Sequence, residues 1–191
     1  MPFRRLIMVL ALLVVSGAAG LMLQIGWTRQ LRLIFGGTTA ASATVLAIFL
    51  GGLGFGQWFW GRRIDRWSKP LRGYGFLELG VAAAALASPW LVDLSREIYL
   101  ALGGESALGT FNAALLRIVL SAIVLGPATW LMGGTIPAAA AAIASDDDSR
   151  RVRVGWLYGL NTLGAVAGAA WANFYLLELR YKEASDGLIP V

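Results

Sequence analysis

The sequence contains no cysteine and no histidine among its 191 residues. Their absence excludes disulfide bonds, thiol nucleophiles and imidazole bases, and it removes the two commonest side-chain ligands of transition metals. Charged residues make up only 14% of the chain, which is too few for the surface of a soluble domain of this length. We therefore expect no catalytic residues, no cofactor and no metal site, and a surface that faces lipid.

Hydrophobic residues make up 58% of the chain and are concentrated in long runs. A membrane-spanning helix needs about 20 consecutive apolar residues. Five runs reach roughly this length, at 6–27, 35–60, 74–92, 111–132 and 155–177. The sequence therefore predicts an all-α fold, a polytopic membrane helix bundle with about five transmembrane helices and the lipid bilayer as its surroundings. These helices fill residues 1–178, and a polar C-terminal tail follows at 179–191.

The first apolar run resembles a secretory signal peptide at its start. Arg4 and Arg5 precede the apolar residues, and small residues accumulate before Gly20. The run nevertheless continues to Trp27, which makes it long enough to cross a bilayer. We therefore expect an uncleaved first helix, with signal cleavage as the alternative.

The stretch between the third and fourth spans has a mixed pattern. Residues 93–102 have the spacing of a short helix lying along the outer membrane interface, and a loop is expected at 103–110. Beyond the fourth span the chain stays apolar to Ala144. The fourth helix is therefore expected either to run on past the bilayer or to bend near Pro127 and Pro137.

Most of the sixteen lysines and arginines fall at the N-terminus, after the second span and before the fifth. Positively charged loops are retained on the cytoplasmic side of a membrane. The pattern predicts a multi-pass protein of the bacterial plasma (inner) membrane, with a cytoplasmic N-terminus and an external C-terminus. Because these charges flank apolar runs and do not form one polar face, nucleic acid is not an expected partner.

Glycines recur in the second and fifth spans. Gly52, Gly54 and Gly56 spell the GxGxG of nucleoside-cofactor enzymes, but that site needs a preceding strand and a helix start at the phosphate. Gly52 and Gly56 instead lie one helical turn apart in an apolar run, as do Gly164 and Gly168. This spacing is typical of faces where membrane helices approach closely.

The loop after the second span carries Gly61, Asp65, Arg66 and Lys69. This spacing resembles the signature loop of major facilitator transporters, although serine and proline stand at two positions where that pattern has glycine and a basic residue. The resemblance implies that the loop takes part in conformational change, and Gly61 is expected to let two helix ends approach closely. The alternative is an ordinary positively charged cytoplasmic loop.

Two charged residues lie within the predicted spans, Glu78 in the third and Arg117 in the fourth. A charge inside a membrane is costly unless it is paired, reaches the interface or faces water, so both are candidate functional residues. We expect Arg117 about two turns from the outer end of its helix and Glu78 about one turn from the inner end of its own helix, so the two are not expected to pair with each other. For Arg117 we favour a guanidinium that reaches the outer interface or a partner, with a transport role as the alternative.

Several blocks together resemble a particular bacterial family, the membrane half of fused transporter and spermidine-synthase-like proteins. The blocks are QIGWTRQL at 24–31, LELG at 77–80, SPWL at 88–91, LMGGTIP at 131–137 and LYGLNTLGAVAG at 157–168. The resemblance extends over nearly the whole chain and implies an incomplete major-facilitator-type repeat. The aminopropyltransferase-like domain of those proteins is not in this sequence, so no enzyme activity is implied.

An alternating-access carrier uses two repeats, and five helices supply less than one repeat of six helices. We therefore expect a non-catalytic membrane subunit or scaffold that packs against other membrane proteins. One alternative is a small transporter or half-transporter that works by self-association. Another is a membrane anchor for a separate aminopropyltransferase-like enzyme.

Overall fold

The computed structural model describes residues 3–64, 66–143 and 147–175. Their secondary structure is helical, and no strand occurs in these ranges. The helices are α1 (Phe3–Phe35), α2 (Thr39–Ile64), α3 (Pro70–Ala101), α4 (Gly104–Ala142) and α5 (Asp147–Ala170), which continues as a π-helical turn (Trp171–Tyr175). The predicted all-α membrane helix bundle is confirmed.

Four helices, α1 to α4, are long and apolar enough to cross a membrane, with 26 to 40 residues each. A bilayer core needs about 20 residues of helix, so each has turns to spare. The chain is therefore a multi-pass membrane protein in a lipid environment. The predicted fifth span coincides with α5 and its π-helical turn, which are not among these four helices, and the last two residues of that span lie outside the described ranges.

Glycine, proline and a capping threonine set the helix boundaries. Gly36, with φ +93°, ends α1, and the Thr38 hydroxyl then accepts a hydrogen bond from the Ala41 N–H in the first turn of α2. Pro70 begins α3, where its missing N–H has no helical partner to lose. Gly103, with φ +78°, separates α3 from α4. Because Gly36 ends α1, α2 begins at Thr39, four residues later than the start of the predicted second span at residue 35.

The described residues fall into two compact units. One unit covers Gly26–Arg153 and contains α2, α3 and α4, with α4 packed against both of the others. Gly52 meets Thr129 and Gly56 meets Trp130, so α2 and α4 run parallel. Gly80 meets Leu131 while Tyr99 meets Arg117, so α3 is antiparallel to α4.

The other unit pairs the start of α1, up to Ile25, with α5 from Val154 onward. Gly164 packs on the Val14 carbonyl and Gly168 on the Ala18 carbonyl, which makes these two helices parallel. This agrees with the order of helices along the chain. Successive helices alternate in direction, and three helices, α2, α3 and α4, lie between α1 and α5 in the sequence.

The stretch expected to be an interfacial helix and a loop is organised differently. Residues 93–102 are the end of α3, which continues through Pro89 without interruption to Ala101. Residues 104–108 already belong to α4, and the helix is broken only at Gly109. At its other end α4 continues through Pro127 and Pro137 to Ala142, ten residues beyond the predicted end of the fourth span at residue 132.

Candidate functional site

Arg117 is a buried cation in the unit Gly26–Arg153, with only 6% of its surface exposed. Its Nη2 donates hydrogen bonds to the Tyr99 hydroxyl at 2.9 Å and to Glu105 Oε2 at 2.5 Å, and Nε lies 3.3 Å from the same hydroxyl. The guanidinium is thus paired inside its own unit with residues next to the α3–α4 turn. Whether this end of the unit lies at the outer membrane interface, as the sequence favours, stays a prediction. A pairing carboxylate is what makes a charge at this position tolerable in an apolar surrounding.

Tyr99 is held in place by the residues around the α3–α4 turn. It lies in the last turn of α3, and the Phe35 ring packs edge-on against it at a centroid distance of 5.1 Å. A Cβ at Gly104 would lie 3.4 Å from the Tyr99 ring, so the turn passes close over it. The phenol therefore presents its hydroxyl to Arg117 from a fixed position.

The ion pair between Arg117 and Glu105 requires the break in α4. Twelve residues of straight helix would separate the two Cα atoms by about 18 Å, beyond the combined reach of the two side chains. Gly109, at φ 72° and ψ 165°, interrupts the helix between them. This backbone conformation is open essentially to glycine alone. The single glycine thus allows the first turn of α4 to bring Glu105 to Arg117.

Replacing Gly109 with alanine is expected to destabilise the α3–α4 turn by about 1–3 kcal/mol, the typical cost of this conformation for a residue with a Cβ. A Cβ at Gly109 would meet no atom within 4 Å, so the effect comes from the backbone and not from a clash. The midpoint of thermal unfolding in detergent measures it. Gly75→Ala in α3, also without neighbours, is the control. Equal midpoints for the two variants would contradict the role of the break.

Sequence reasoning did not find Tyr99 or Glu105. The available signal was an acidic residue three helical turns before an intramembrane arginine, but the two glycines before it suggested a loop. Glu78, the other charged candidate, is partly exposed on α3, about 30 Å along the helix from Tyr99. The structure therefore does not bring Glu78 and Arg117 together.

The loop residues Gly61, Arg66 and Lys69 lie at the α2–α3 turn, and Asp65 lies outside the described residues. Arg66 and Lys69 are exposed. A Cβ at Gly61 would meet no atom within 4 Å, so the close approach expected there does not occur. The glycine that this turn needs is Gly73, where a Cβ would overlap the ring of Trp67. A role of the loop in conformational change stays a prediction.

The glycines of the one-turn spacing lie where helices cross. A Cβ at Gly52 would overlap the Thr129 side chain, and one at Gly56 would overlap the Trp130 carbonyl. Gly133 of α4 faces the same crossing, since a Cβ there would lie 2.8 Å from the Gly56 Cα. Gly164 and Gly168 serve the crossing of α1 and α5 in the same way. The GxGxG pattern is in the middle of α2, without a preceding strand.

A shallow groove of about 500 Å³ runs along the outside of the α2–α4 crossing. Its wall is apolar and consists mainly of small residues. It is lined by Ala47, Ile48, Gly51, Gly52, Phe55, Ala122, Gly126, Pro127 and Trp130. We call it the α2–α4 groove. The Trp130 indole is the one polar group among these side chains. The groove can therefore select an occupant by its shape, but it has no charged or hydroxyl side chain with which to bind a polar ligand.

No protein-family model, no curated protein and no solved structure matches the chain. Within the described ranges, no group of three or more acidic side chains lies close enough together to hold a metal ion. The features of the described residues that bear on function are therefore the paired arginine, the glycine crossings and the α2–α4 groove.

Proposed function

We propose that this protein is a non-catalytic subunit of a membrane protein complex and that the α2–α4 groove receives a transmembrane helix of another membrane protein. The observation that carries the proposal is the pair of glycines in the groove, Gly51 and Gly126. A Cβ at either would meet no atom within 4 Å, so packing inside the unit does not require glycine there. Glycine in a helix interior costs about 1 kcal/mol relative to alanine.

Small residues at an exposed helix surface let a second helix approach closely in lipid. The α2–α4 groove combines such residues with the bulky rings of Phe55 and Trp130. This alternation of small and large residues suits the interlocking of side chains from a partner helix. Its position on the exposed face of two helices that are long and apolar enough to span a membrane supports a membrane-embedded partner over a soluble one.

We further propose that the subunit lies in the bacterial inner membrane with its N-terminus in the cytoplasm. The support is the distribution of basic residues, since Arg62, Arg63, Arg66, Lys69 and Arg72 all flank the α2–α3 turn. The α3–α4 turn, with Glu105, then faces the outside.

Filling the groove is expected to abolish partner binding without unfolding the subunit. A photo-crosslinking residue at Ala47, which is exposed and lines the groove, should capture a membrane protein in native membranes. Gly51→Leu should reduce this adduct at least tenfold, because the leucine occupies the partner's space. Gly54→Leu is the matched control, since Gly54 lies on the same helix, has an open Cβ position and is not part of the groove. An adduct insensitive to Gly51→Leu would contradict the proposal.

A half-transporter that works by self-association is the second candidate. The observation that favours it is the Arg117–Glu105 pair, in which a buried cation meets a carboxylate that is 47% exposed and can separate from it. The same crosslinking experiment with two differently tagged copies distinguishes this candidate, since the adduct is then a second copy of this chain. The enzyme-anchor function depends on the sequence resemblance alone, and co-purification of a nucleoside-binding protein would support it.

A further inference from the structure

A second groove, of about 540 Å³, opens at the α2–α3 turn. Its rim carries three cations within seven residues, Arg66, Lys69 and Arg72. Its floor is apolar and aromatic, with Trp60, Trp67 and Leu77 among the lining residues. We call it the turn groove. A cationic rim above an apolar floor is the surface that an anionic amphiphile requires.

The floor of the turn groove is held in place by side-chain packing within the unit. The Trp67 ring occupies the space that a side chain at Gly73 would take. Trp67 also packs edge-on against Trp60 at a centroid distance of 5.9 Å, and Trp60 packs on Trp130 at 4.9 Å. A Cβ at Gly134 would lie 2.7 Å from the Trp60 ring. Two glycines and three packed indole rings therefore fix the aromatic floor.

The three rim cations differ from the neighbouring arginines. Arg62 lies over the Trp58 ring at 4.5 Å, and Arg63 lies over the Phe59 ring at 3.6 Å. The side chains of Arg66, Lys69 and Arg72 are exposed, and among residues that the structure describes no carboxylate lines the groove with them. Asp65 is their neighbour in sequence and lies outside that part of the chain. The rim thus concentrates positive charge at the edge of a low-dielectric surface, which attracts anions.

We propose that the turn groove binds an anionic phospholipid, with its phosphate against Arg66, Lys69 and Arg72 and an acyl chain along Trp67 and the exposed ring of Phe76. The rim is at the end of two membrane-spanning helices, at the level where headgroups lie, and tryptophan favours this interface. The floor continues along α3 to Phe76, whose side chain is exposed. A soluble anion would use the rim but not the floor, whereas a phospholipid uses both. Basic pockets between transmembrane helices recognise anionic headgroups in this way.

Native mass spectrometry of the purified protein tests this, with phosphatidylglycerol and phosphatidylcholine titrated separately. The wild-type protein should retain phosphatidylglycerol more tightly than phosphatidylcholine. Each basic side chain contributes about fivefold to the affinity for an anionic lipid. The triple variant Arg66→Gln, Lys69→Gln, Arg72→Gln should therefore bind phosphatidylglycerol about 100-fold more weakly. Its folding is checked by its helical circular dichroism, and if it does not fold, Arg72→Gln alone should show the fivefold loss.

The matched control removes the same charge from exposed arginines at the other end of the unit. Arg29→Gln, Arg32→Gln, Arg96→Gln should leave phosphatidylglycerol binding within about twofold of the wild-type value. An equal loss in the control would overturn the site, as would equal retention of the two lipids by the wild-type protein. Displacement of the lipid by water-soluble glycerol phosphate at comparable concentrations would also overturn it, since the occupant is then a soluble anion. The outcome is independent of the partner proposed for the α2–α4 groove.

Discussion

Replacing Gly56 with alanine is expected to separate α2 from α4 and to lower the free energy of unfolding by about 1–3 kcal/mol. The new Cβ would overlap the Trp130 carbonyl oxygen and lie 2.8 Å from the carbonyl carbon. These are backbone atoms of α4, which cannot rotate aside as a side chain does. In lipid, van der Waals contact is a main force between helices, so the separation is not compensated by hydrophobic burial. Thermal unfolding in detergent, followed by circular dichroism, measures the loss.

Gly54→Ala provides the control for this variant on the same helix. A Cβ at Gly54 would meet no atom within 4 Å, so this alanine should leave stability unchanged or raise it through better helix propensity. Gly133→Ala, on the α4 side of the crossing, should reproduce the loss seen for Gly56→Ala. The double variant should lose less than the two single losses combined, because one displacement relieves both contacts. If Gly56→Ala and Gly54→Ala unfolded at the same temperature, the close crossing would be disproved.

Removing the carboxylate of Glu105 is expected to destabilise the protein more than removing the arginine it pairs with. Glu105→Gln leaves the Arg117 cation buried without a counter-charge, with the Tyr99 hydroxyl and the neutral glutamine amide oxygen as its acceptors. Breaking a fully buried pair in this way costs about 3–5 kcal/mol, and because Glu105 is half-exposed we expect about 1–2 kcal/mol. Arg117→Met, an apolar replacement of similar length, should be neutral or stabilising. Thermal unfolding in detergent again measures the effect.

The double variant separates a lost pair from a general effect of charge. With Arg117→Met in place, Glu105→Gln should have almost no further effect, since no buried cation remains. Glu97→Gln, an exposed acid in the last turns of α3, should leave the midpoint unchanged in either background. A loss from Glu105→Gln that persists in the Arg117→Met background would show that the ion pair is not its cause.

Part of the candidate site could be predicted from the sequence. Arg117 was identified because a charge inside an apolar run is conspicuous without knowledge of the fold. Its partner was missed because the reach from Arg117 to Glu105 depends on Gly109, and the backbone conformation of one glycine is not encoded in residue type. Gly61 shows the converse case, because a close approach of two helix ends was predicted there and a Cβ would meet no atom within 4 Å, whereas a Cβ at Gly73 would overlap the Trp67 ring.

The sequence by itself determined that this is an all-helical, multi-pass membrane protein, because the length of an apolar run is a local property and a backbone in lipid must satisfy its hydrogen bonds within each helix. The tertiary structure alone decided which glycines pack against another helix. Gly51, Gly52, Gly54 and Gly56 are near neighbours of one residue type, yet only Gly52 and Gly56 meet α4. The difference arises from the side of α2 that the crossing uses, and that side is set by how two helices fit together in space.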